Sequence, residues 1–356
     1  MEKLNFLVEW GKSKERAWSG TNYSLYNSLS ENFEIKEKNL SAPFVLMALF
    51  KILRVHWFNS SFYLNLFNRL RCKYVTGKVF QFSEIKNNNE YCKTFIYQDL
   101  SCSYIKFMKE NCKSVFIKSG YEGINGKLLE KRISLQNDYY KNCSAIFTMG
   151  RWLKKFLISQ GIPKEKIFAV GGGTNVKYIQ SKKNKTGNKI LFIGRDFERK
   201  GGFVTYKAFC LLKARMPDVQ LYIAGPKINP IENSVEGVHF LGDVKYEKLT
   251  DLYNLCDIFC MPSFFEAYGL VFVEALIFGL PCIGRNCYEM PYFIEDNKTG
   301  YLLSENGNEK ELAEKMELAL KNHELKKNVA LKHDYYINEY SWKSVAERIK
   351  NVIEKF

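Results

Sequence analysis

Glu266 and Glu274 stand eight positions apart in FEAYGLVFVEA (Phe265 to Ala275), directly after the apolar run DIFCMPS (Asp257 to Ser263). A carboxylate accepts hydrogen bonds from two vicinal hydroxyls at once, so the pair suits a hydroxyl-rich ligand. The residues between them read as the start of a helix, whose backbone N–H groups around Gly269 and Leu270 suit phosphate. Sugar, phosphate and ribose thus come within reach of one short stretch. The plainer reading is a helix with one glutamate in its first turn and the other on a solvated face. Upstream, KILFIGRDFERKGG (Lys189 to Gly202) reads as a buried strand, a polar turn carrying Arg195 and Lys200, and a glycine pair opening a helix. Cations beside a helix N-terminus fit a diphosphate, and they would stabilise the charge on a departing nucleoside diphosphate without a metal. No Asp-x-Asp occurs in the chain. A charged surface turn is the alternative.

These residues need a scaffold, and the pattern of elements supplies one. In an open α/β sheet, ligands bind beyond the carboxyl ends of the strands, which is where both motifs fall. Apolar strands alternate with amphipathic helices, as in CSAIFTM (Cys143 to Met149), RWLKKFLISQ (Arg151 to Gln160) and KIFAV (Lys166 to Val170), so the class is α/β. At 356 residues the chain exceeds the size of most single cores, and two domains are expected. The glycine triplet at Gly171 to Gly173 followed by a lysine-rich polar stretch reads as a linker. It lacks the spacing and the Lys-Ser or Lys-Thr of a Walker loop. The expected division is a domain over 1–172, a linker over 173–188, a second domain over 189–338 and a closing segment over 339–356.

Taken in this order, with the strand DVQLYIAGP (Asp218 to Pro226) between them, the motifs resemble the donor-binding half of family 4 glycosyltransferases of the GT-B fold. The likeness runs through Gly237 to Asn286 and on to DNKTGYLL (Asp296 to Leu303). It implies two Rossmann-like β/α/β domains facing each other across a cleft, the first taking the acceptor and the second the nucleotide-sugar donor. By the same resemblance Glu274 takes the ribose hydroxyls and Glu266 the donor sugar. Gly269, Leu270 and Val271 present N–H groups to the diphosphate, Arg195 and Lys200 bind its oxygens, and Val244 lies in the base-contacting loop. The amphipathic segment Glu339 to Phe356 would cross back onto the first domain.

In the first half the resemblance is thinner. AWSGTNYSLYNSL (Ala17 to Leu29) reads as a turn entering a helix, where the family has a glycine-containing loop facing the donor phosphates, and Gly20 is the candidate for that contact. A plain capping turn at Ser19 or Thr21 is the alternative. Tyr139 to Gly173 matches the family's last βα unit, with Gly150 where a serine is common. Relatives carry a histidine on the acceptor side, whereas His56 here reads as part of an aromatic helix. The strand TFIYQDLS (Thr94 to Ser101) offers Asp99 instead, to orient or deprotonate the acceptor hydroxyl, unless Asp99 or Ser101 caps a helix. Gln81 and Glu84, after GKVFQF (Gly77 to Phe82), are further acceptor candidates.

Charge bears on partners. Residues 1–175 hold 27 Lys and Arg against 14 Asp and Glu, so most of the formal net +15 sits in the first half. Such a surface draws an anionic bilayer, a lipid pyrophosphate carrier or an acidic glycan. SAPFVLMALFKILRVHWF (Ser41 to Phe58) is an apolar stretch rimmed by Lys51 and Arg54, either an interfacial element or a buried core helix. The longest uncharged apolar run is too short to span a bilayer, and KLNFLVEW (Lys3 to Trp10) lacks a signal cleavage site. A cytoplasmic location, or the inner face of the cytoplasmic membrane, is therefore expected. Ten cysteines without a CxxC pair read as free thiols acting as small apolar residues, so no metal is expected, and no cofactor beyond the donor substrate. The resulting expectation is a retaining glycosyltransferase of bacterial surface polysaccharide or lipopolysaccharide assembly. Its rivals are a nucleotide-sugar epimerase or hydrolase on the same fold, and a non-catalytic binder of sugar nucleotides or nucleic acid. No recognition helix, RNA-binding sheet motif or zinc finger supports specific nucleic-acid binding.

Overall fold

The computed structural model describes residues 1–356 except 12, 177 and 180–186. Much of the expected linker, 173–188, therefore lies outside the described residues. The chain divides into two compact units, Met1–Asn175 with Ser341–Phe356, and Val176–Tyr340.

The first unit holds six strands: β1 (Glu2–Val8), β2 (Phe33–Asn39), β3 (Gly77–Gln81), β4 (Cys92–Gln98), β5 (Ala145–Thr148) and β6 (Ile167–Ala169). They form one sheet in the order β2-β1-β3-β4-β5-β6, and every pairing is parallel. A parallel sheet is covered on both faces, so its strands read as nearly continuous apolar runs such as NFLV and TFIY. Register places Phe6 beside Phe80, and their rings stack 5.5 Å apart. Phe147 continues the ladder at 6.1 Å from Phe80. The helix Trp342–Ile353 buries Trp342, Val345, Ala346, Ile349, Val352 and Ile353, the three-and-four spacing of a single apolar stripe. Its first turn is capped by Ser341, and Arg348 Nε donates to Val170 O at 2.8 Å.

The second unit repeats the plan with β7 (Lys189–Ile193), β8 (Gln220–Ala224), β9 (Val238–Gly242), β10 (Ile258–Cys260), β11 (Cys282–Arg285) and β12 (Gly300–Leu303). The order is β12-β11-β10-β7-β8-β9, again parallel throughout. The chain starts at β7, builds outward to β9, then returns to the other side of β7 with β10. This reversal between neighbours leaves a crevice at their carboxyl ends. In the first unit the reversal falls between β1 and β3 by the same logic.

Two readings of the sequence need correction. The helix Phe44–Ile52, expected either in the core or at an interface, buries none of its residues, so the core reading fails. His56 is not inside a helix; it is the N-cap of Trp57–Arg71, and its Nδ1 accepts from the Phe58 N–H at 3.3 Å.

Candidate functional site

In the second unit the loops leaving β7 and β10 are forced together by a missing side chain. Gly201 has φ 79°, and a Cβ there would lie 2.5 Å from Pro262 O, so only glycine lets the two loops approach this closely. Lys200 is thereby set against the loop after β10, where its Nζ forms an ion pair with Glu266 Oε2. Both side chains are mostly buried, at 14% and 13% exposed. Burial pulls the Lys200 ammonium below the ordinary lysine range, and Glu266 works against that shift. Arg199 supports the same carboxylate from 3.8 Å, while its Nη1 donates to Phe265 O at 2.7 Å and its Nε pairs with Asp196 at 2.9 Å.

Three residues beyond Glu266, Gly269 turns the chain through φ 100° into the helix Leu270–Ile277. No side chain caps this helix, so the N–H groups of its first turn, from Leu270 and Val271 onward, are presented at the crevice. Glu274 lies on that helix, 4% exposed, and its Oε2 accepts from Tyr253 Oη at 2.8 Å. Tyr253 is itself fixed by stacking on Phe278 at 5.2 Å. A carboxylate this buried is costly without such a partner. Arg195 points outward, 80% exposed, and pairs with Asp243 at 3.3 Å beyond the end of β9. Val244, half-buried, is the next residue on that same edge.

The matching end of the first unit is a cavity of about 430 Å³ lined by the ends of β1 and β4, the loop after β3 and the helices beyond them. Asp99 lines it, and the neighbouring helix Cys102–Asn111 is capped by Ser101, which accepts from the Tyr104 N–H at 3.2 Å. The capping alternative thus belongs to Ser101. Glu84 reaches the same cavity and pairs with Arg132 at 3.3 Å, both nearly buried. Gln81 does not line it; its amide is spent on Tyr139 Oη and on the backbone of Lys86. Gly20 has φ 87° and is the N-cap of the helix Thr21–Ser30. No side chain caps that helix, so neither Ser19 nor Thr21 does. Asn22 in its first turn lines the cavity, 6% exposed, and its Oδ1 has no hydrogen-bond partner.

Residues 177–333 match the family model described as glycosyl transferases group 1. That segment, a little under half of the chain, is similar to the group 1 glycosyl transferases. Its relatives include spore coat protein SA of Bacillus subtilis, 29% identical over 47% of this chain and 48% of that protein. They also include the phosphatidyl-myo-inositol mannosyltransferase of Mycobacterium leprae, 27% identical over 57% of this chain and 56% of that protein. The chain spans about half the length of the curated relatives it matches. Among solved structures, WaaG, a glycosyltransferase involved in lipopolysaccharide biosynthesis, superposes with a TM-score of 0.67 at 16% identity, covering 98% of this chain and 99% of that one. The fold is GT-B.

Within the matched segment, the structure brings together Lys200, Glu266, the helix start at Gly269 to Val271, and Glu274. It sends Arg195 and Val244 to the β9 edge and places Gly20 and Asp99 in the other unit. Sequence reasoning missed Tyr253 and Arg199, which hold the two glutamates, and Arg132 and Asn22, which face the cavity. Arg132 sits mid-helix with no motif around it, and Tyr253 lies in the last turn of a helix, 21 residues away from its partner Glu274. Arg199 adjoins Lys200 and was readable as a third cation of that loop. All ten cysteines are free, and burial pushes the Cys102, Cys143 and Cys260 thiols up to about 12. Among the described residues no helix is long and apolar enough to cross a membrane.

Proposed function

We propose that this chain is a retaining family 4 glycosyltransferase, moving a sugar from a nucleoside-diphosphate sugar to a glycan or lipid-linked acceptor. The observation that carries the reading is the set of groups at the β7–β10 crevice: a buried carboxylate on a tyrosine, a second on a lysine, and an uncapped helix start beside them. Glu274 takes the ribose hydroxyls and Glu266 the donor sugar. Gly269 to Val271 and Gly20 offer N–H groups to the diphosphate, and Val244 adjoins the base. In the unliganded protein Glu266 neutralises Lys200; an arriving diphosphate competes for the ammonium and frees the carboxylate for sugar hydroxyls.

The bond from the anomeric carbon to the β-phosphate oxygen breaks with its electron pair leaving on the phosphate. Arg195 and Lys200 stabilise that charge, so no metal or further cofactor is required. The acceptor oxygen bonds to the same face of the sugar, and its proton passes to the departing phosphate oxygen. Asp99, in the cavity of the first unit, orients the acceptor hydroxyl. The M. leprae phosphatidyl-myo-inositol mannosyltransferase supports a lipid-linked acceptor, and WaaG's part in lipopolysaccharide biosynthesis supports a setting in bacterial surface polysaccharide or lipopolysaccharide assembly. The basic first unit supports peripheral contact with an anionic membrane at its cytoplasmic face. Calorimetry against UDP, GDP, ADP, TDP and CMP tests the donor site. Micromolar binding of one diphosphate that is lost in Glu274→Ala supports it, and no binding to any of them by folded protein counts against it. Product analysis with the matching sugar nucleotide then separates transfer from epimerisation or hydrolysis.

A further inference from the structure

The first unit carries an apolar surface that its own fold does not use. In the helix Phe44–Ile52 all the exposed residues but Lys51 are apolar: Phe44 is 86% exposed, Val45 79% and Ile52 77%, with Met47 and Leu49 also exposed, and Leu53 follows at the C-cap. The helix is tied to its neighbour Trp57–Arg71 by Phe50 stacked on Tyr63 at 6.3 Å. That neighbour adds Tyr63, Leu66, Phe67 and Leu70 to the exposed apolar residues, and Tyr74 follows it. An apolar patch contiguous over two helices is far more than single exposed residues and marks a contact surface.

Charge says what it contacts. Residues 41–83 contain six Lys and Arg and no Asp or Glu. Lys51, Arg54, Arg71 and Lys73 are exposed around the patch, and the Arg71 guanidinium and Lys73 ammonium lie over the Phe67 and Tyr74 rings at 5.8 and 5.5 Å. Apolar side chains rimmed by cations with no acid among them complement an anionic lipid surface, with aromatic rings at headgroup depth and lysine and arginine reaching phosphate. A protein partner of ordinary composition would meet this face with both signs of charge.

We propose that Phe44–Ile52 and the outer side of Trp57–Arg71 form a seat on an anionic bilayer that holds the mouth of the first unit's cavity at the lipid headgroups. Trp57 links the two features: it lines the cavity, packs on Tyr121 at 5.4 Å and is 55% exposed beside the patch. A headgroup-borne hydroxyl therefore has a short path into the cavity that holds Asp99 and the Glu84–Arg132 pair. Only this last step, the identity of what enters the cavity, rests on the glycosyltransferase reading.

Vesicle flotation of the whole protein tests the seat. Wild type should float with vesicles containing about 30 mol% phosphatidylglycerol and much less with pure phosphatidylcholine. Phe44→Asp with Ile52→Asp should lower binding at least about tenfold, since each removes a side chain's worth of apolar burial. Lys51→Glu with Arg54→Glu should erase the preference for anionic lipid, and added salt should weaken the wild type in the same way. Circular dichroism checks that both variants fold. Wild-type binding by the Phe44/Ile52 variant would overturn the proposal. So would sedimentation showing that this variant turns a dimer into a monomer while flotation is unchanged, because the patch would then face a second copy. Nucleoside diphosphate binding is measured on the same samples: its absence in wild type counts against the enzyme reading and leaves the flotation result standing.

Discussion

The two units share a plan and differ in how their ligand ends are made. Each is a six-stranded parallel sheet with a reversal of strand order near its middle, and each gathers its polar groups at the carboxyl ends there. In the second unit those groups come from two loops and two helices, and they are already paired with one another: Lys200 with Glu266, Glu274 with Tyr253. In the first unit the cavity draws on two strands, the loop after a third and several helices, and it keeps the unpartnered Asn22 Oδ1 facing inward. A paired set of charges is preorganised, which suits the one invariant ligand of the proposed reaction, a nucleoside diphosphate. An assembled cavity with aromatic walls leaves its specificity to residues scattered over the chain, as an acceptor that differs between related enzymes requires.

That contrast predicts separable defects. The largest is Asp99→Asn, which should reduce transfer by about a hundredfold or more while leaving donor affinity as it was. Weakened nucleotide binding in that variant would break the division between the units, and full activity would leave Asp99 without a role. Lys200→Ala comes next, with turnover falling by about a hundredfold and affinity by much less. Equal losses in kcat and in affinity would mean that Lys200 acts on the bound ground state. For Glu274→Ala, the dissociation constant of the nucleoside diphosphate should rise by about tenfold, with acceptor KM unchanged. Tyr253→Phe sharpens the comparison most finely: about a fivefold loss of diphosphate affinity is expected, smaller than that of Glu274→Ala because the carboxylate remains.

The pH profile offers a check of different kind. Because Lys200 in the free protein holds its proton less firmly than an ordinary lysine, its charge is lost as pH rises, at lower pH than usual. The alkaline fall in kcat/KM should begin below the normal lysine range, and Lys200→Arg should move that fall to higher pH. An unchanged alkaline limb in the arginine variant would assign it to another group.

Contiguous features were readable. The strand before Arg195, the glycine pair after Lys200 and the helix opening at Gly269 all follow from local chemistry, since an apolar run, a turn residue and a helix start each declare themselves within a few positions. Asp99 was readable as the end of a strand, but its competition with Ser101 for the helix cap was not, because both sit within three residues of the helix start and only the Tyr104 N–H direction separates them. The segment from Phe44 to Ile52 shows the opposite limit. Its composition fits a core helix as well as a surface one, and nothing in eight apolar residues and one lysine says which side of a fold they face.

From the sequence by itself came the α/β class, the parallel strands with their apolar runs, the likeness to family 4 glycosyltransferases and the acidic and cationic groups at two strand ends. Local propensity and short-range spacing are enough for these. Tertiary structure decided what required distant residues to meet: the Tyr253 hydroxyl on Glu274, Arg132 against Glu84, Asn22 turned into a cavity, and a helix left bare on the surface. Each depends on how elements pack across a sheet, and packing partners separated by tens of residues leave no mark in the order of the chain.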